Sequence, residues 1–431
     1  RQAAQESLIL LKNNGVLPLT GKEKTIAVIG PHAGNARYYF GGYTHLSMVE
    51  AVHAAANSMA GVGAGGDTSD ILMDRIPGTN VQTDETEEFH QVLKKLHPAC
   101  RNLVEVLQAQ LPEARILHAA GYPKAGADTS GFEEALALVR EADVVILTLG
   151  GKNGSGSVAT MGEGVDGADI NLPACQDAFL QEAKKYRKPL IGVHFDGRPV
   201  SSDTADELLD ALIEAWSPAV FGAEAVVNVL TGSYNPSGKL PLCVARTVGQ
   251  IPVYYNHPNG SAWHQGESIG FQDYVDMPHT PRYFFGHGLS YTTFAYQDLV
   301  LEKKTVNPAE DLKISLVVKN TGKVSGTELV QLYLRDEQAS MTRPVKELQG
   351  FARVSLAPGE EKKVEFIVSP SQTAFLDEDM RWKIEKGEIK VQVGASSEDI
   401  RLEDAFVIRE NLWIEGRERR FYADVSVHDP E

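Results

Sequence analysis

The amino-acid sequence predicts an α/β domain, with a mostly parallel sheet covered by helices on both faces, followed by an all-β sandwich. Two observations lead to this fold class. From Thr25 to Thr231 the chain alternates short apolar runs with amphipathic stretches, and after Tyr296 apolar and polar residues alternate in evenly spaced segments. The first pattern is typical of β-α units and the second of antiparallel sheets. A length of 431 residues also favours more than one hydrophobic core.

We divide the chain into five segments. Residues 1–24 form a helical linker, 25–231 the α/β domain, 232–296 a wrapping segment rich in Pro, Gly, Asn and Tyr, 297–408 the β-sandwich and 409–431 a charged tail without clear structure. We expect the aromatic residues of the wrapping segment to buttress the α/β domain, because a long structureless loop is improbable in a compact protein. The first residues lack an initiator Met and signal-peptide features, and they begin inside an amphipathic pattern (Ala4, Leu8, Leu11), so we expect a removed upstream part.

The α/β domain is predicted from three apolar runs that are buried on both faces, as strands of a covered parallel sheet should be. They are TIAVIG at 25–30, DVVILTLGG at 143–151 and PLIGVHFDG at 189–197. Amphipathic stretches indicate helices at 88–110, 131–141, 174–187 and 221–231, and the Gly-rich segment 61–86 indicates a surface excursion. Binding loops in such sheets follow the carboxyl ends of strands, so we expect function in the loops after Gly30 and Gly150.

The C-terminal strands indicate a sandwich of immunoglobulin or fibronectin type III form, because they alternate with period two and are separated by Gly-containing turns. Its core should contain the inward-facing residues of two packed sheets. These are Leu316, Val318, Val330, Leu332, Val364, Phe366, Val391 and Val393.

Composition excludes several classes of function. A net charge of −17 opposes binding to nucleic acid or to an anionic membrane. Cys100, Cys175 and Cys243 lack the spacing of a zinc site or a disulfide framework, and we expect free thiols. No Gly-rich loop has phosphate-binding spacing, which argues against a nucleotide loop, and we expect neither a cofactor nor a metal.

Glu163 is the strongest candidate for chemistry. It lies between Gly162 and Gly164 in the long polar loop GKNGSGSVATMGEGVDGADINLP, which follows the strand at 143–151. Glycines leave the carboxylate unobstructed, and long polar loops often carry binding or catalytic residues. Taken alone, Gly-Glu-Gly also fits a solvated surface glutamate.

Motifs along nearly the whole chain resemble glycoside hydrolase family 3. They include QESLILLKNNGVLPL, GGYT, GEGVDGADINLPACQ, EAWSPAVFGAEAVVNVLTGSYNPSGKLP, YFFGHGLSYTTFAY and TRPVKELQGFARVSLAPGE. The resemblance implies the family's α/β sandwich and fibronectin type III-like domains, without its N-terminal barrel. It also implies a retaining β-glycosidase in which Glu163 is the acid/base and an aspartate of the barrel is the nucleophile. This chain would then be inactive alone.

The resemblance also points to substrate contacts on the aglycone side. Tyr43, in RYYFGGYT, matches the place of an aromatic residue that lines this subsite, and His45 is a weaker candidate. The alternative is that Tyr38, Tyr39, Phe40 and Tyr43 only pack a buried turn. One departure concerns the loop of Glu163: Asp166 is followed by Gly167, where many members have Arg, so ordering of the loop by that ion pair is in doubt.

Other polar residues are expected to be structural. His194 lies in an apolar strand, where a hydrogen-bonded core histidine is expected. The expected partners are a β-glucoside or oligosaccharide substrate and the barrel, in the same or a second chain, and a homodimer is left open. We favour β-glucosidase activity, with a β-xylosidase or a non-catalytic carbohydrate-binding fragment as alternatives. Cytoplasmic and secreted locations both stay open.

Overall fold

A computed structural model describes residues 1–59, 74–265 and 272–430. They divide into two compact units, residues 1–238 with 246–249 and residues 239–245 with 250–431. The first unit is the predicted α/β domain and the second contains the predicted β domain. Within the described residues, no helix combines the length and apolar character of a membrane span.

In the described residues, the first unit contains one six-stranded sheet and its helices. Its strands are β1 (Ile9–Asn13), β2 (Thr25–Ile29), β3 (Arg115–Ala119), β4 (Val144–Gly150), β5 (Leu190–Phe195) and β6 (Ala211–Glu214). Its helices are α1 (Gln2–Glu6), α2 (Pro31–Gly34), α3 (His45–Met59), α4 (Glu87–Leu96), α5 (Leu103–Gln110), α6 (Phe132–Glu141), α7 (Ala174–Lys184), α8 (Asp203–Leu208) and α9 (Gly222–Leu230). The predicted helix at 88–110 is two helices, because Pro98 interrupts it and Asn102 caps the second one.

The order of the strands places a switch point beside the two loops that the sequence singled out. Along the sheet the order is β1-β6-β5-β4-β2-β3, and all neighbours are parallel except β1 and β6. The chain passes from β2 to β3 on one side and then returns to β4 on the other. A ligand crevice in sheets of this kind lies where the direction of winding reverses, here between β2 and β4.

The first residues differ from the helical linker that we expected. Helix α1 ends at Glu6, and Ile9–Asn13 form an edge strand antiparallel to β6. Residues 8–11 are all buried. A continuous apolar run fits a covered strand better than one face of a helix, which explains the difference.

Leaving aside residues 266–271 and 431, which are not described, the second unit has three antiparallel groups of strands with one parallel pair. Its strands are β7 (Phe294–Leu301), β8 (Thr305–Val306), β9 (Leu312–Asn320), β10 (Gly326–Asp336), β11 (Glu347–Leu356), β12 (Glu361–Val368), β13 (Phe375–Leu376), β14 (Trp382–Ile384), β15 (Gly387–Gly394), β16 (Ile400–Ile408), β17 (Leu412–Ile414) and β18 (Asp424–His428). The sheets have the orders β11-β10-β15-β16-β8, β18-β12-β9-β7 and β13-β14-β17. All eight predicted core residues are fully buried in one hydrophobic cluster, which confirms the period-two prediction.

Two expectations about this unit were wrong. Residues 409–431, expected to lack clear structure, contain β17 and β18, and β18 extends a sheet by pairing with β12. In the wrapping segment, Tyr255 packs edge-on against Tyr333 of β10 and accepts a hydrogen bond from the Leu348 amide. This aromatic therefore stabilises the β domain instead of the α/β domain.

Candidate functional site

Tyr43 and Glu163, both selected from the sequence, meet beside the switch point of the α/β sheet. Tyr43 follows β2 and lies between α2 and α3, and Glu163 lies in the loop between β4 and α7. The Tyr43 hydroxyl donates a hydrogen bond of 2.7 Å to Oε2 of Glu163. Residues 120 positions apart are thus joined because β2 and β4 are neighbours in the sheet.

The loop between β4 and α7, residues 151–173, is ordered by hydrogen bonds at its base; we call it the acid arm. The Lys152 amide donates to Oγ1 of Thr160 at 2.8 Å, and the Thr160 amide donates to the Lys152 carbonyl at 3.0 Å. The Gly154 amide donates to the Met161 carbonyl at 2.9 Å. These bonds fold the arm back on itself and hold the residue before Gly162 in place.

Glu163 occupies a tight turn that requires glycine on its N-terminal side. The Val165 amide donates to the Gly162 carbonyl at 3.1 Å, which closes the turn. Gly162 has φ +136°, and a Cβ there would lie 1.9 Å from the Gly154 carbonyl oxygen. Gly164 has φ +68° but is surrounded by open space. No L-residue with a side chain could replace Gly162 without displacing the arm, and the turn leaves the Glu163 side chain exposed.

Tyr43 differs from the aromatic residues that precede it. Tyr38, Tyr39 and Phe40 are buried, whereas 76% of Tyr43 is exposed. The hydrogen bond to Glu163 raises the pKa of Tyr43, so its hydroxyl stays a proton donor to the carboxylate. The three buried rings match the packing alternative, and the exposed ring of Tyr43 is free to contact a ligand.

His45, the weaker candidate, is exposed at the first residue of α3. In the described part of the chain, no hydrogen bond or ion pair joins it to Tyr43 or Glu163. The structure therefore brings together two of the three predicted site residues.

A buried ion network lies beneath the acid arm, and the sequence did not predict it. Lys152 Nζ lies 2.6 Å from Glu50 Oε2 and 2.7 Å from Asp84 Oδ2. Arg37 contacts the same two carboxylates at 2.8 and 3.1 Å, and Lys124 forms an ion pair with Asp84. Each of these five side chains is at most 3% exposed, so their charges must compensate one another.

The network fixes the charge of Asp84. Burial alone would raise the pKa of this carboxyl, but Lys152, Lys124 and Arg37 more than offset burial and hold the pKa well below its usual range. Asp84 belongs to the segment 61–86, which we expected to be a surface excursion; residues 60–73 of that segment lie outside the described residues. For Asp84 the expectation was wrong, because the carboxylate is needed to neutralise the base of the acid arm.

Arg198, from another loop, lies beside Gly167, the residue that follows Asp166 in the acid arm. A Cβ on Gly167 would lie 2.6 Å from Nη2 of Arg198. The guanidinium of Arg198, two residues beyond Asp196, thus occupies the space beside the arm that a side chain at Gly167 would take.

His194 is not the hydrogen-bonded core histidine that we expected. It is 2% exposed, and neither ring nitrogen has a hydrogen-bond partner among the described residues. Asp196 and Glu214 lie beside it. Burial lowers the pKa of His194, raises the pKa of Glu214 to about 8 and, with the neighbouring charge of Glu214, holds the pKa of Asp196 well above its usual range.

The arrangement at Glu163 can perform proton transfer. An exposed carboxyl group can donate a proton to a leaving group when it is protonated and, as a carboxylate, can accept a proton from water. Retaining glycoside hydrolysis needs in addition a nucleophilic carboxylate about 5 to 5.5 Å away. The structure places one exposed carboxyl group, that of Glu163, beside the hydroxyl of Tyr43.

Comparisons with known proteins agree with the resemblance. Residues 8–291 match the glycosyl hydrolase family 3 C-terminal domain, and residues 328–397 match a fibronectin type III-like domain. A periplasmic beta-glucosidase of Salmonella typhimurium is 35% identical over 92% of this chain and 48% of its own length. A beta-xylosidase of Formosa agariphila is 33% identical over 92% and 48%.

Solved structures are also similar to this chain. The beta-glucosidase from Listeria innocua in complex with isofagomine superposes with a TM-score of 0.73 at 30% identity, covering 95% of this chain and 49% of that protein. This chain spans about half the length of the curated relatives that it matches.

Proposed function

Because the chain belongs to glycoside hydrolase family 3, we propose that Glu163 is the acid/base of a retaining β-glycosidase whose nucleophile comes from a barrel domain outside these residues. The barrel is supplied by the same polypeptide or by a second chain. We use the term assembled enzyme for this chain together with its barrel, and expect the chain alone to be inactive.

The observation that carries this proposal is the presentation of Glu163 on a glycine-flanked turn at the switch point of the sheet. A solvated surface glutamate would need neither the steric requirement at Gly162 nor the hydrogen-bonded arm beneath it. The exposed carboxylate faces outward from the chain, as a group that acts on a substrate held by another domain should.

In the proposed reaction, the barrel aspartate attacks the anomeric carbon while Glu163 protonates the departing oxygen. Glu163 then removes a proton from the water that hydrolyses the glycosyl-enzyme. The Tyr43 hydroxyl orients the carboxylate through the hydrogen bond to Oε2, and its ring offers an apolar face to the aglycone sugar.

We propose a β-glucoside as the substrate, since the relatives that match most of this chain include beta-glucosidases. A β-xyloside is the second candidate, favoured by the beta-xylosidase of Formosa agariphila. The comparison of kcat/KM for aryl β-glucoside and aryl β-xyloside on the assembled enzyme decides between them.

The test of the mechanism is Glu163→Ala in the assembled enzyme, with Asp169→Asn as the control in the same arm. Loss of a general acid should lower kcat/KM by about 10² to 10⁴ for substrates with poor leaving groups and far less for activated aryl glycosides. Asp169→Asn should retain activity on both. Equal losses on both substrates in Glu163→Ala would place the acid/base elsewhere.

A non-catalytic carbohydrate-binding role makes a different prediction. A binding module would hold β-linked oligosaccharides without any rate that depends on Glu163. Isothermal titration of the chain with such an oligosaccharide, together with no turnover by the assembled enzyme, would support this alternative.

A further inference from the structure

Three side chains with metal-ligand chemistry converge at the carboxyl ends of β5 and β6. His194 of β5 lies opposite Glu214 of β6 in the parallel register. Asp196 is two residues beyond His194, and residues two apart in an extended chain point to the same face. The pairing of β5 with β6 therefore gathers an imidazole and two carboxylates at one point of the sheet edge.

These groups are deeply buried and incompletely satisfied. His194, Asp196 and Glu214 are 2%, 1% and 3% exposed. Both nitrogens of His194 and both oxygens of Asp196 lack a hydrogen-bond partner within the described residues. Burying a carboxylate without a partner is costly, and buried charges are as a rule paired or bound to a metal. A bound cation would pair with both carboxylates, so the cluster has the ligand chemistry of a cation site.

The distance between His194 and Glu214 matches a divalent ion with short bonds. One ligand atom from each of the three residues lies within 4.8 Å of the other two. His194 Nδ1 and Glu214 Oε2 are 3.5 Å apart. Two ligands of a tetrahedral ion with bonds of about 2.1 Å are about 3.4 Å apart. Small side-chain movements of Asp196 would complete three-ligand coordination.

We propose that His194, Asp196 and Glu214 bind one divalent transition-metal ion, Zn²⁺ or Mn²⁺. One imidazole nitrogen with two carboxylates suits these ions, whereas Mg²⁺ and Ca²⁺ prefer oxygen ligands alone. This proposal does not rest on the proposed glycosidase activity.

The backbone directly after β6 has an unusual conformation next to the cluster. Trp216 has φ +53°, a region that side chains rarely adopt, and its amide donates to Oε1 of Glu214 at 2.9 Å. Beside it, the Ser217 hydroxyl lies 3.5 Å from Nδ2 of Asn153 in the acid arm. An ion at the cluster would hold the ends of β5 and β6 together and thereby support the base of the arm.

The test is equilibrium dialysis of the full, tag-free chain against Zn²⁺ and, separately, Mn²⁺, with bound metal measured by mass spectrometry. We expect one ion of Zn²⁺ or Mn²⁺ per chain. The isosteric variants Asp196→Asn and Glu214→Gln should each weaken binding at least tenfold. The control is His53→Asn, because His53 and Glu88 form an exposed pair that could hold Zn²⁺ weakly. This control should bind the same ion as the unmodified chain.

Circular dichroism verifies that each variant is folded. A second measurement needs no variant: anomalous scattering from crystals of the unmodified chain grown with Zn²⁺ should place the ion between His194, Asp196 and Glu214. The proposal is overturned if the chain binds neither metal, if His53→Asn removes the binding while Asp196→Asn keeps it, or if the anomalous peak lies elsewhere.

Discussion

Replacement of Gly162 by alanine tests how the acid arm presents Glu163. The new Cβ would lie 1.9 Å from the Gly154 carbonyl oxygen, whereas ordinary contacts begin near 3.4 Å. The two sides of the arm must therefore separate by about 1.5 Å, since atoms in contact resist closer approach. The φ of +136° adds backbone strain to this clash.

A displacement of that size next to Glu163 should lower the catalytic rate strongly. A misplacement of about 1 Å can cost about 10²-fold in rate. We expect Gly162→Ala to lower kcat/KM of the assembled enzyme at least about 100-fold for poor leaving groups, which corresponds to about 2.7 kcal/mol of transition-state stabilisation.

Gly164→Ala is the matched control. Gly164 has φ +68°, and no atom lies within 4 Å of the Cβ that alanine would add. The substitution should therefore introduce only about 1 to 2 kcal/mol of local strain and lower the activity less than about tenfold. Steady-state kinetics on aryl and alkyl β-glycosides compares the two variants. Equal activities of Gly162→Ala and the unmodified enzyme would refute the rigid-turn argument, as would equal losses in both variants.

Three further changes probe the contacts around the site and the second unit. Asp84→Asn should lower the free energy of unfolding in urea by about 3 to 5 kcal/mol at pH 7, because it leaves buried cations uncompensated. Since the folded-state pKa of Asp84 is depressed, the stabilisation by its carboxylate is present above about pH 4 and is lost as the pH falls further. The difference in stability between the variant and the unmodified chain should therefore narrow at low pH, and a constant difference would contradict the assignment. Tyr43→Phe should lower kcat a few-fold at unchanged KM, because this change keeps the ring and removes the hydrogen-bond donor to Glu163. Tyr43→Ala should also raise KM, because it removes the ring as well. Indistinguishable kinetics for the two variants would exclude ring stacking on the substrate. Phe366→Ala should destabilise the β domain by about 3 to 5 kcal/mol in urea unfolding, because Phe366 is fully buried, and a change below 1 kcal/mol would contradict its place in the core.

Strands with a strong local pattern could be predicted from the sequence, and short or edge strands could not. β2, β4 and β5 are apolar on both faces, and the β domain alternates with period two. β6 has only four residues, and β3 at the sheet edge is largely uncovered, so neither has a distinctive period. Their pairing is decided by tertiary contacts that a local pattern does not contain.

The candidate site also contains residues that could be predicted from the sequence and residues that could not. The loops of Tyr43 and Glu163 could be selected because they follow strands of a parallel sheet, although their hydrogen bond depends on the strand order. The ion network joins residues from 37 to 152, and no spacing along the sequence marks them as partners. We expected only His194 to be structural and did not consider Asp196, although a polar pair two residues apart where a strand ends was a usable signal.

The most direct test of the central claim is the product that Glu163→Ala forms with azide in the assembled enzyme. If Glu163 is the acid/base, the variant still forms the glycosyl-enzyme from an activated β-glycoside, and azide attacks it from the face that Glu163 occupied. Proton NMR should then identify a β-glycosyl azide, and the rate should rise with azide concentration. An α-glycosyl azide, or no rescue of a variant that has lost activity, would contradict the role assigned to Glu163.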